Sequence, residues 1–335
     1  MKIELFHVKL PMKFEFVTAK SALKIRETLI VKLTDNDKIG YGECVAFTEP
    51  FYTAETLDSA WNYLSNLTAF PEFDSAHKMA FAAIENAQLA LKFGKQNFVG
   101  KFFEQNLATQ IEKGAVLGDL SEEILTKKID KLSKNNVHRI KLKASPKNLE
   151  IISNLVKKFP KLNFAVDGNQ SLSSENLQFL DDLGLIFIEE PLSSLTDYPE
   201  NLKTSIAFDE SVQNLSDLGN LPKNVQKIVN LKIGRLGGLA KTKEMIELCA
   251  ARNIKTFVGS MVESSISKHL HAQLAALPNQ FCPGDLSESD YYFEEDLTNP
   301  ALIFDNGKMD LPEKIVVNEA LIEKHTIRKH SHEFD

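Results

Sequence analysis

The sequence contains few cysteines and no long apolar segment. Its three cysteines, Cys44, Cys249 and Cys282, lie far apart, a pattern that favours neither a disulfide framework nor a zinc site. No apolar run approaches the roughly 20 residues that a membrane-spanning helix requires, and the opening residues MKIELFHVKL lack the apolar core of a signal peptide. We therefore expect a cytoplasmic protein with no membrane partner.

An excess of positive charge is also missing. The 335 residues include 39 Lys and Arg against 46 Asp and Glu, which gives a net charge of −7. Because binding to a phosphate backbone requires a basic face, we expect no nucleic-acid partner. The chain is longer than one hydrophobic core usually supports, so the sequence predicts a large domain and a smaller one. A homo-oligomer is compatible with the sequence, which gives no indication of the subunit number.

Residues 1–110 are predicted to form an N-terminal α+β domain. Two apolar runs, residues 29–33 and 39–43, flank the turn sequence Thr-Asp-Asn-Asp, and this arrangement predicts a β-hairpin. Apolar residues at helical spacing follow over 54–67 and 75–93. Strands followed by helices are typical of the α+β class.

Residues 111–287 carry a strand–helix repeat. Eight short apolar runs end in polar residues and are separated by helical stretches, mostly at intervals of 20 to 28 residues. This alternation predicts parallel βαβ units, and eight of them predict a (β/α)₈ barrel of the α/β class. An open doubly wound sheet is the rival, but it would require a glycine-rich first turn, which is missing. The runs are residues 115–117, 139–143, 164–167, 186–189, 206–209, 228–232, 256–259 and 281–285.

The remaining residues, 288–335, do not continue the repeat. They contain the tight-turn sequence Asp-Asn-Gly-Lys at 305–308, and we expect them to return to the N-terminal domain. The last few residues, with His330 and His332, are expected to be mobile because they end the chain.

Three carboxylates are predicted to meet at one edge of the barrel. Asp167, Glu189 and Asp209 end the third, fourth and fifth runs, at spacings of 22 and 20 residues. Active sites of parallel barrels form at the carboxyl ends of the strands, and clustered carboxylates repel one another unless a cation is bound. Oxygen ligands without His or Cys favour a hard cation, Mg²⁺ with Mn²⁺ as an alternative. Spacing alone does not distinguish Glu189 from Glu190, or Asp209 from Glu210.

Lysines lie on both sides of these carboxylates in the predicted barrel. Lys141 and Lys143 are two residues apart on one strand, so their side chains share a face. Lys232 ends the sixth run, and strands two and six lie opposite each other in a ring of eight. A single Lys-x-Lys or a single Asp is uninformative. Their joint occurrence on five consecutive strands predicts a metal-dependent enzyme that removes a proton next to the carboxylate of a small-molecule substrate.

Five segments resemble the enolase superfamily, in the group that includes muconate lactonizing enzymes, dipeptide epimerases and o-succinylbenzoate synthases. RIKLK, VDGN, FIEEP, AFDES and NLKIGRLGG stand in that family's order and spacing along nearly the whole chain. The resemblance implies a barrel with a capping domain, Lys143 as the acid/base, Lys232 opposite it, and Lys141 keeping the pKa of Lys143 low. The metal ligands that it implies are Asp167, Glu189 and Asp209, and the residues behind them are Asn169, Glu190 and Glu210.

The segment FCPGDLSESDYYFEEDL is similar to the o-succinylbenzoate synthase branch of Gram-positive bacteria. The resemblance implies dehydration of a succinyl-hydroxycyclohexadiene carboxylate on the menaquinone pathway. An N-acylamino acid racemase or dipeptide epimerase with the same two lysines is the alternative. Asp285 stands alone where the epimerases carry Asp-x-Asp. Ile233 stands where relatives with both activities often have Pro, although Arg235 is present three positions after Lys232.

The resemblance also implies that capping-domain loops around 17–23 and 47–52 cover the substrate. Tyr52 would cover the succinyl arm or, in the alternative, pack between the domains. Ser260, just past the seventh run, would reach the substrate or cap a helix. The sequence leaves both pairs of alternatives open.

Overall fold

The computed structural model describes residues 1–17, 22–94, 97–118 and 120–333. The strands are β1 (Lys2–Val17), β2 (Ala22–Asp35), β3 (Lys38–Cys44), β4 (Gln110–Glu112), β5 (Gly114–Leu117), β6 (Arg139–Lys143), β7 (Asn163–Asp167), β8 (Phe187–Glu189), β9 (Ile206–Phe208), β10 (Lys227–Leu231), β11 (Lys255–Val258), β12 (Thr298–Asn299), β13 (Lys308–Asp310), β14 (Val316–Val317) and β15 (Thr326–Glu333). The helices are α1 (Leu57–Ser65), α2 (Lys78–Phe93), α3 (Val99–Phe103), α4 (Glu122–Lys134), α5 (Leu149–Lys158), α6 (Ser174–Asp181), α7 (Ile233–Leu236), α8 (Leu239–Ala251), α9 (Ser265–Ala275), α10 (Ser289–Tyr292) and α11 (Glu319–His325), with a 3₁₀ helix at Leu215–Gly219.

The capping domain is built on a four-stranded antiparallel sheet in the order β15–β1–β2–β3. The predicted hairpin is confirmed as β2 and β3, and the two predicted helices are confirmed as α1 and α2. Helix α2 lies directly on β3 because two glycines leave room for its backbone. A Cβ at Gly40 would come within 1.9 Å of the carbonyl oxygen of Ala87, and a Cβ at Gly42 within 1.9 Å of that of Ala83.

The C-terminal segment returns to this sheet, as predicted. Its tight turn at 305–308 is confirmed, since Asp305 and Lys308 exchange backbone hydrogen bonds of 2.8 and 2.9 Å. The expectation that His330 and His332 are mobile is wrong. Both lie in β15, where they pair with Leu5 and Ile3 of β1. The hydrogen bonds of the sheet therefore order this segment, although it lies near the C-terminus.

The barrel contains a seven-stranded parallel sheet in the order β5–β6–β7–β8–β9–β10–β11. The eighth predicted strand, residues 281–285, is not a regular strand. It still donates two backbone hydrogen bonds to β11, from Phe281 to Thr256 (2.9 Å) and from Asp285 to Val258 (2.9 Å). Pro283 has no N–H to donate, which explains the irregular ladder.

The irregular segment closes the ring on its other side as well. A Cβ at Gly114 of β5 would lie 2.4 Å from the carbonyl oxygen of Gly284, so residues 281–285 fill the space between β11 and β5. The (β/α)₈ class is therefore confirmed, with an irregular eighth position. The helix expected between β9 and β10 is reduced to the 3₁₀ helix, and residues 190–205, between β8 and β9, contain no helix.

Large side chains fill the closed end of the barrel. Phe187 and Phe257 are fully buried, and their rings stack with centroids 5.1 Å apart. Arg139 lies over both rings, 5.4 and 5.6 Å from their centroids. The interior is thus a packed core below the carboxyl ends of the strands, and ligands have room only above it. No described helix is long and apolar enough to cross a membrane.

Candidate active site

Five neighbouring strands bring the predicted residues to one edge of the barrel. In the parallel ladders Lys143 is the register partner of Asp167, and Asp167 that of Glu189. Asp209 follows β9 directly, and Lys232 follows β10. The three carboxylates therefore lie on adjacent strand ends, with one lysine on the strand before them and one on the strand after them.

Each of the three carboxylates forms an ion pair with a cationic side chain. The Nζ atom of Lys143 lies 2.6 Å from Asp167 Oδ2, and that of Lys232 lies 2.6 Å from Asp209 Oδ2. The other Asp209 oxygen, Oδ1, is 2.5 Å from the guanidinium of Arg235. Arg235 and Lys232 thus share one carboxylate, which places the arginine beside the second lysine.

Glu189 lies deepest in the group. Its two carboxylate oxygens accept hydrogen bonds from Lys141 Nζ (2.6 Å) and from Asn230 Nδ2 (2.8 Å), and it is 1% exposed. Burial raises the pKa of Glu189 to about 8. Lys141 opposes this rise, whereas the charges of Asp167 and Asp209 add to it. Burial is therefore the main cause of the raised pKa, and repulsion from the neighbouring carboxylates is a smaller one.

The structure distinguishes the two acids of each pair that the sequence left open. Glu190 points away from its neighbour Glu189 and accepts hydrogen bonds from the backbone N–H groups of Asp209 (2.7 Å) and Ser211 (3.3 Å). It therefore holds the chain after β9 in place. Glu210 accepts a bond from Asn169 Nδ2 at 3.4 Å, while its Oε2 atom is buried without a hydrogen-bond partner.

The pKa of Glu210 is raised to about 6, chiefly by burial and then by the charge of Asp209. Asn169 has a left-handed backbone, with φ of 42°, and its side-chain oxygen accepts a 2.6 Å bond from Lys143 Nζ. Asn169 therefore connects the first lysine to Glu210. This contact fits the supporting position that the sequence predicts for both residues.

The two lysines of the Lys-x-Lys pair differ in exposure. The side chain of Lys143 is 33% exposed, whereas that of Lys141 is 4% exposed. The expected low pKa of Lys143 is wrong for this structure. Burial and the charge of Lys141 do lower its pKa, but the ion pair with Asp167 outweighs them and the net shift is upward.

Three side chains that contact this group were not predicted as site residues from the sequence: Arg139, Asn230 and Asp285. Asp285, on the irregular eighth segment, accepts hydrogen bonds from Lys141 and from Arg139 Nη1. Burial alone would raise the pKa of Asp285, but Arg139 and Lys141 lower it to about 2. The spacing of Arg139, two residues before Lys141 on β6, is the signal that could have placed it inside the barrel. Asn230, two residues before Lys232, carries the same signal.

Three carboxylates on adjacent strand ends, Asp167, Glu189 and Asp209, provide oxygen donors that suit a hard divalent cation, and Glu210 lies beside them. The Oε2 atom of Glu210 is buried and has no hydrogen-bond partner, so it is an oxygen that a cation could contact. In the part of the chain that the structure describes, no three His, Cys, Asp or Glu side chains are already arranged as a metal cluster. The residues fit a cation in chemistry, and their ion pairs must open for one to bind.

The two residues predicted to bind substrate lie in separate loops. Tyr52 packs near Phe47, with ring centroids 5.7 Å apart, in an apolar cluster between the domains. Ser260 donates a hydrogen bond to Glu263 (3.1 Å) and accepts one from Val262 N–H (3.2 Å). Ser264, not Ser260, caps α9, so the helix-cap alternative is wrong. Substrate contact by either residue stays a prediction, and the predicted loop around 17–23 has its centre, residues 18–21, outside the described residues.

Residues 125–315 match the protein family described as "Enolase C-terminal domain-like", and residues 1–81 match "MenC, N-terminal domain". The first match alone spans more than half of the chain. The chain belongs to the enolase superfamily. It is an enzyme, and members of this superfamily typically use a divalent metal ion.

The relatives of this superfamily member include o-succinylbenzoate synthases, N-succinylamino acid racemases and an L-Ala-D/L-amino acid epimerase. The o-succinylbenzoate synthase of Bacillus subtilis (strain 168) is 28% identical, over 98% of this chain and 96% of its own. That of Geobacillus kaustophilus is 29% identical, over 91% and 89%. The N-succinylamino acid racemase of an Amycolatopsis species is 28% identical, over 92% of both chains.

Solved structures of superfamily members share the whole fold. A protein of Enterococcus faecalis V583 superposes with a TM-score of 0.89 at 27% identity, covering 99% of this chain and 98% of its own. A protein of Listeria innocua Clip11262 superposes with a TM-score of 0.88 at 26% identity, covering 98% of both. Capping domain and barrel therefore belong to one shared architecture.

Proposed function

We propose that this protein is an o-succinylbenzoate synthase, a hydro-lyase of menaquinone biosynthesis in the cytoplasm. It dehydrates 2-succinyl-6-hydroxy-2,4-cyclohexadiene-1-carboxylate to o-succinylbenzoate. The observation that carries the proposal is the pair of lysines, Lys143 and Lys232, on either side of three carboxylates in strand order. Five o-succinylbenzoate synthases among its relatives, at 27–29% identity over most of the chain, support the choice of substrate.

We assign Asp167, Glu189 and Asp209 as the ligands of Mg²⁺, with Mn²⁺ as an alternative. A bound cation would offset the charge of the substrate carboxylate and the negative charge that develops when its α-proton leaves. Glu190 and Glu210 support the ligands from behind. The first of these fixes the backbone N–H of Asp209, and the second adds negative potential beside it.

Lys143 is proposed as the single acid/base. Its partial exposure supports this role over Lys141, whose ammonium group is closed off by Glu189 and Asp285. Lys143 must release its ion pair with Asp167 and lose one ammonium proton to solvent before its amine can accept a proton. It then removes the α-proton and returns a proton to the departing hydroxyl group, so that water leaves and the ring becomes aromatic.

Lys232 is proposed to act as a fixed positive charge on the opposite side of the substrate. Its Nζ atom is held 2.6 Å from Asp209 Oδ2, and Arg235 pairs with the other oxygen of the same carboxylate. A protonated amine cannot serve as a base, but it stabilises the anion that Lys143 creates. This division of roles fits a dehydration by one base better than a racemisation, which needs two bases.

An N-acylamino acid racemase is the second candidate, because relatives from Amycolatopsis and Thermus thermophilus carry the name N-succinylamino acid racemase at 28% identity. A dipeptide epimerase is less favoured, since Asp285 is the one Asp in the stretch 283–287. We would measure kcat/KM for dehydration and for N-succinylamino acid racemisation on one preparation. We expect the dehydration value to be far higher, and a racemisation value equal to it or above it would overturn the choice.

The domain boundaries are also part of the proposal. We assign residues 1–110 to the capping domain, 111–287 to the barrel and 288–335 to the segment that returns to the capping domain. A small-molecule carboxylate is the proposed partner, with neither nucleic acid nor membrane involved. The subunit number is left to a sedimentation measurement.

A further inference from the structure

Arg26 is a fully buried cation whose hydrogen bonds go to carbonyl groups rather than to a carboxylate. It lies on β2 and is 1% exposed. Its Nη2 atom donates to the carbonyl of Val45 (2.6 Å), and its Nη1 atom to that of Ala46 (2.9 Å). Its Nε atom donates to the carbonyl of Val262 (3.3 Å), on the barrel side. One rigid guanidinium therefore connects two segments that are more than 200 residues apart in the sequence.

The first of these segments is the base of a capping-domain loop. Val45 and Ala46 follow β3 and lead into Phe47, over whose ring the guanidinium of Arg26 lies at 4.3 Å. Phe47 forms a β-bridge with Thr56, and its carbonyl accepts a bond of 2.8 Å from Leu57 N–H. The loop 47–56 is thus closed at its base, and Arg26 holds that base.

The second segment is the turn after β11, residues 260–263, which starts at the same edge of the barrel as the catalytic lysines. Val262 adopts a left-handed backbone with φ of 60°, which is strained for a β-branched residue. Glu263 is fully buried and accepts bonds from Met261 N–H (2.5 Å) and Ser260 Oγ (3.1 Å). A strained turn persists only where its surroundings fix it, and the bond from Arg26 to the Val262 carbonyl is one of those constraints.

Apolar packing shows that the two segments meet. Met261 belongs to the same buried cluster as Phe47, against which Tyr52 also packs. Val262, the next residue, packs instead into the cluster of Phe6 and Ile30 on the other face of the capping sheet. The turn therefore contacts both faces of the capping sheet, and Arg26 donates its hydrogen bond to the turn between these two contacts.

We propose that Arg26 is a positioning residue for substrate binding, which locks the loop 47–56 to the turn 260–263 above the strand ends. The two residues singled out for substrate contact, Tyr52 and Ser260, lie in these two segments. Arg26 touches neither the substrate nor the reacting atoms. This inference rests on the proposed function, because the effect of Arg26 on substrate binding is measured through KM for dehydration.

The test compares Arg26→Met and Arg26→Lys with the wild-type protein. Methionine keeps the length and apolar contact but donates no hydrogen bond, whereas lysine keeps the charge without the planar set of donors. We expect Arg26→Met to raise KM for dehydration about tenfold while kcat changes less than about threefold. The reason is that the loop 47–56 is no longer held in place for substrate binding, whereas Lys143 keeps its position. Arg26→Lys should lie between it and the wild type. Amide hydrogen exchange should accelerate in both 47–56 and 260–263.

Arg328→Met is the matched control, because Arg328 also lies over an aromatic ring, 4.1 Å from that of Trp61, but on the edge strand β15. It should keep the wild-type KM and the wild-type exchange in both segments. Unchanged KM in folded Arg26→Met, faster exchange in one segment only, or a loss confined to kcat would each overturn the proposal. Should Arg26→Met fail to fold, Arg26→Lys is judged by the same criteria. A wild-type protein that dehydrates nothing contradicts the proposed function instead, and hydrogen exchange then decides the role of Arg26 alone.

Discussion

At the scale of single residues, the three lysines of the site differ in their surroundings, and the proposed roles follow from these differences. Lys141 is closed in by Glu189 and Asp285, Lys143 reaches the open side of the barrel, and Lys232 is tied to Asp209. A base must meet the substrate proton directly, whereas a stabilising charge needs only to be near it. The proposed function therefore assigns three different roles to three lysines, two on β6 and one directly after β10.

The first prediction tests this division. Lys143→Ala should lower kcat by about a thousandfold, because both proton transfers are lost. Lys232→Ala should lower kcat by about a hundredfold through lost charge stabilisation. Exchange of the α-proton of a substrate analogue with solvent deuterium, followed by NMR, should depend on Lys143 alone. Lys127→Ala, which removes an exposed lysine paired with Glu123 on α4, is the control, and exchange on two faces lost separately in the two variants would indicate a racemase.

The second prediction concerns the carboxylates. Chelation should abolish activity, and Mg²⁺ or Mn²⁺ should restore it, because three acidic residues on adjacent strand ends are proposed to share one cation. Asp209→Asn should weaken Mn²⁺ binding, measured by calorimetry, by at least about tenfold while the circular dichroism spectrum stays that of the folded protein. Asp182→Asn, at an exposed ion pair with Lys203, should bind as the wild type does. Full activity in a metal-free sample would contradict the whole site.

The sequence predicted which residues meet at this site better than it predicted the contacts that each of them makes. Period-two and βα-unit spacing were enough to bring Asp167, Glu189 and Asp209 to one edge. They could not separate Glu189 from Glu190, because that choice depends on a left-handed backbone at Glu190, with φ of 37°. Asp285 was missed as a partner of Lys141 because its segment is not a regular strand, so strand alternation gave no information on where its side chain points.

At the scale of helices and strands, the contact of α2 with β3 depends on the absence of two side chains. The third prediction is that Gly42→Ala destabilises the protein by about 2 kcal/mol, because the added methyl group meets the backbone of Ala83 and the helix must move. Urea unfolding measures the change. Gly219→Ala is the control, since a Cβ there meets no atom within 4 Å, and equal stabilities for the two variants would contradict the packing argument.

Strand order was predictable because a repeat of apolar runs admits few parallel arrangements. Seven of the eight runs became strands in the expected sequence. The eighth failed because Pro283 cannot donate to a ladder, and ring closure at that position depends on glycine backbones close to each other rather than on apolar periodicity. The C-terminal strand β15 was missed for a related reason. Its alternate residues are mostly polar, and its partner β1 lies at the other end of the chain.

At the scale of the whole molecule, two glutamates join the capping domain to the barrel, the buried Glu43 and the half-buried Glu85. Glu43 accepts bonds from the N–H groups of Ser264 (3.0 Å) and Ser267 (3.3 Å) at the start of α9. Glu85 of α2 accepts a bond from Ala240 N–H (3.3 Å) at the start of α8. Helix α8 follows the segment that carries Lys232 and begins after Gly238, so both barrel helices receive at their first turn a carboxylate from the other domain.

The last prediction follows from the protonation of Glu85. Burial raises its pKa from 4.5 to about 7, against the opposing effect of its bonds to α8. A carboxyl group with a raised pKa in the folded state contributes stability below its unfolded pKa, and this contribution is lost as the pH rises through the folded pKa. Stability attributable to Glu85 should therefore fall between about pH 4.5 and pH 7. Glu85→Gln, which stays neutral, should gain thermal stability relative to the wild type as the pH rises through this window. Melting temperatures of the two proteins are measured across this range, with the exposed Glu123→Gln as the control. A difference that stays constant with pH would contradict the prediction, because it would show that folding does not raise the pKa of Glu85.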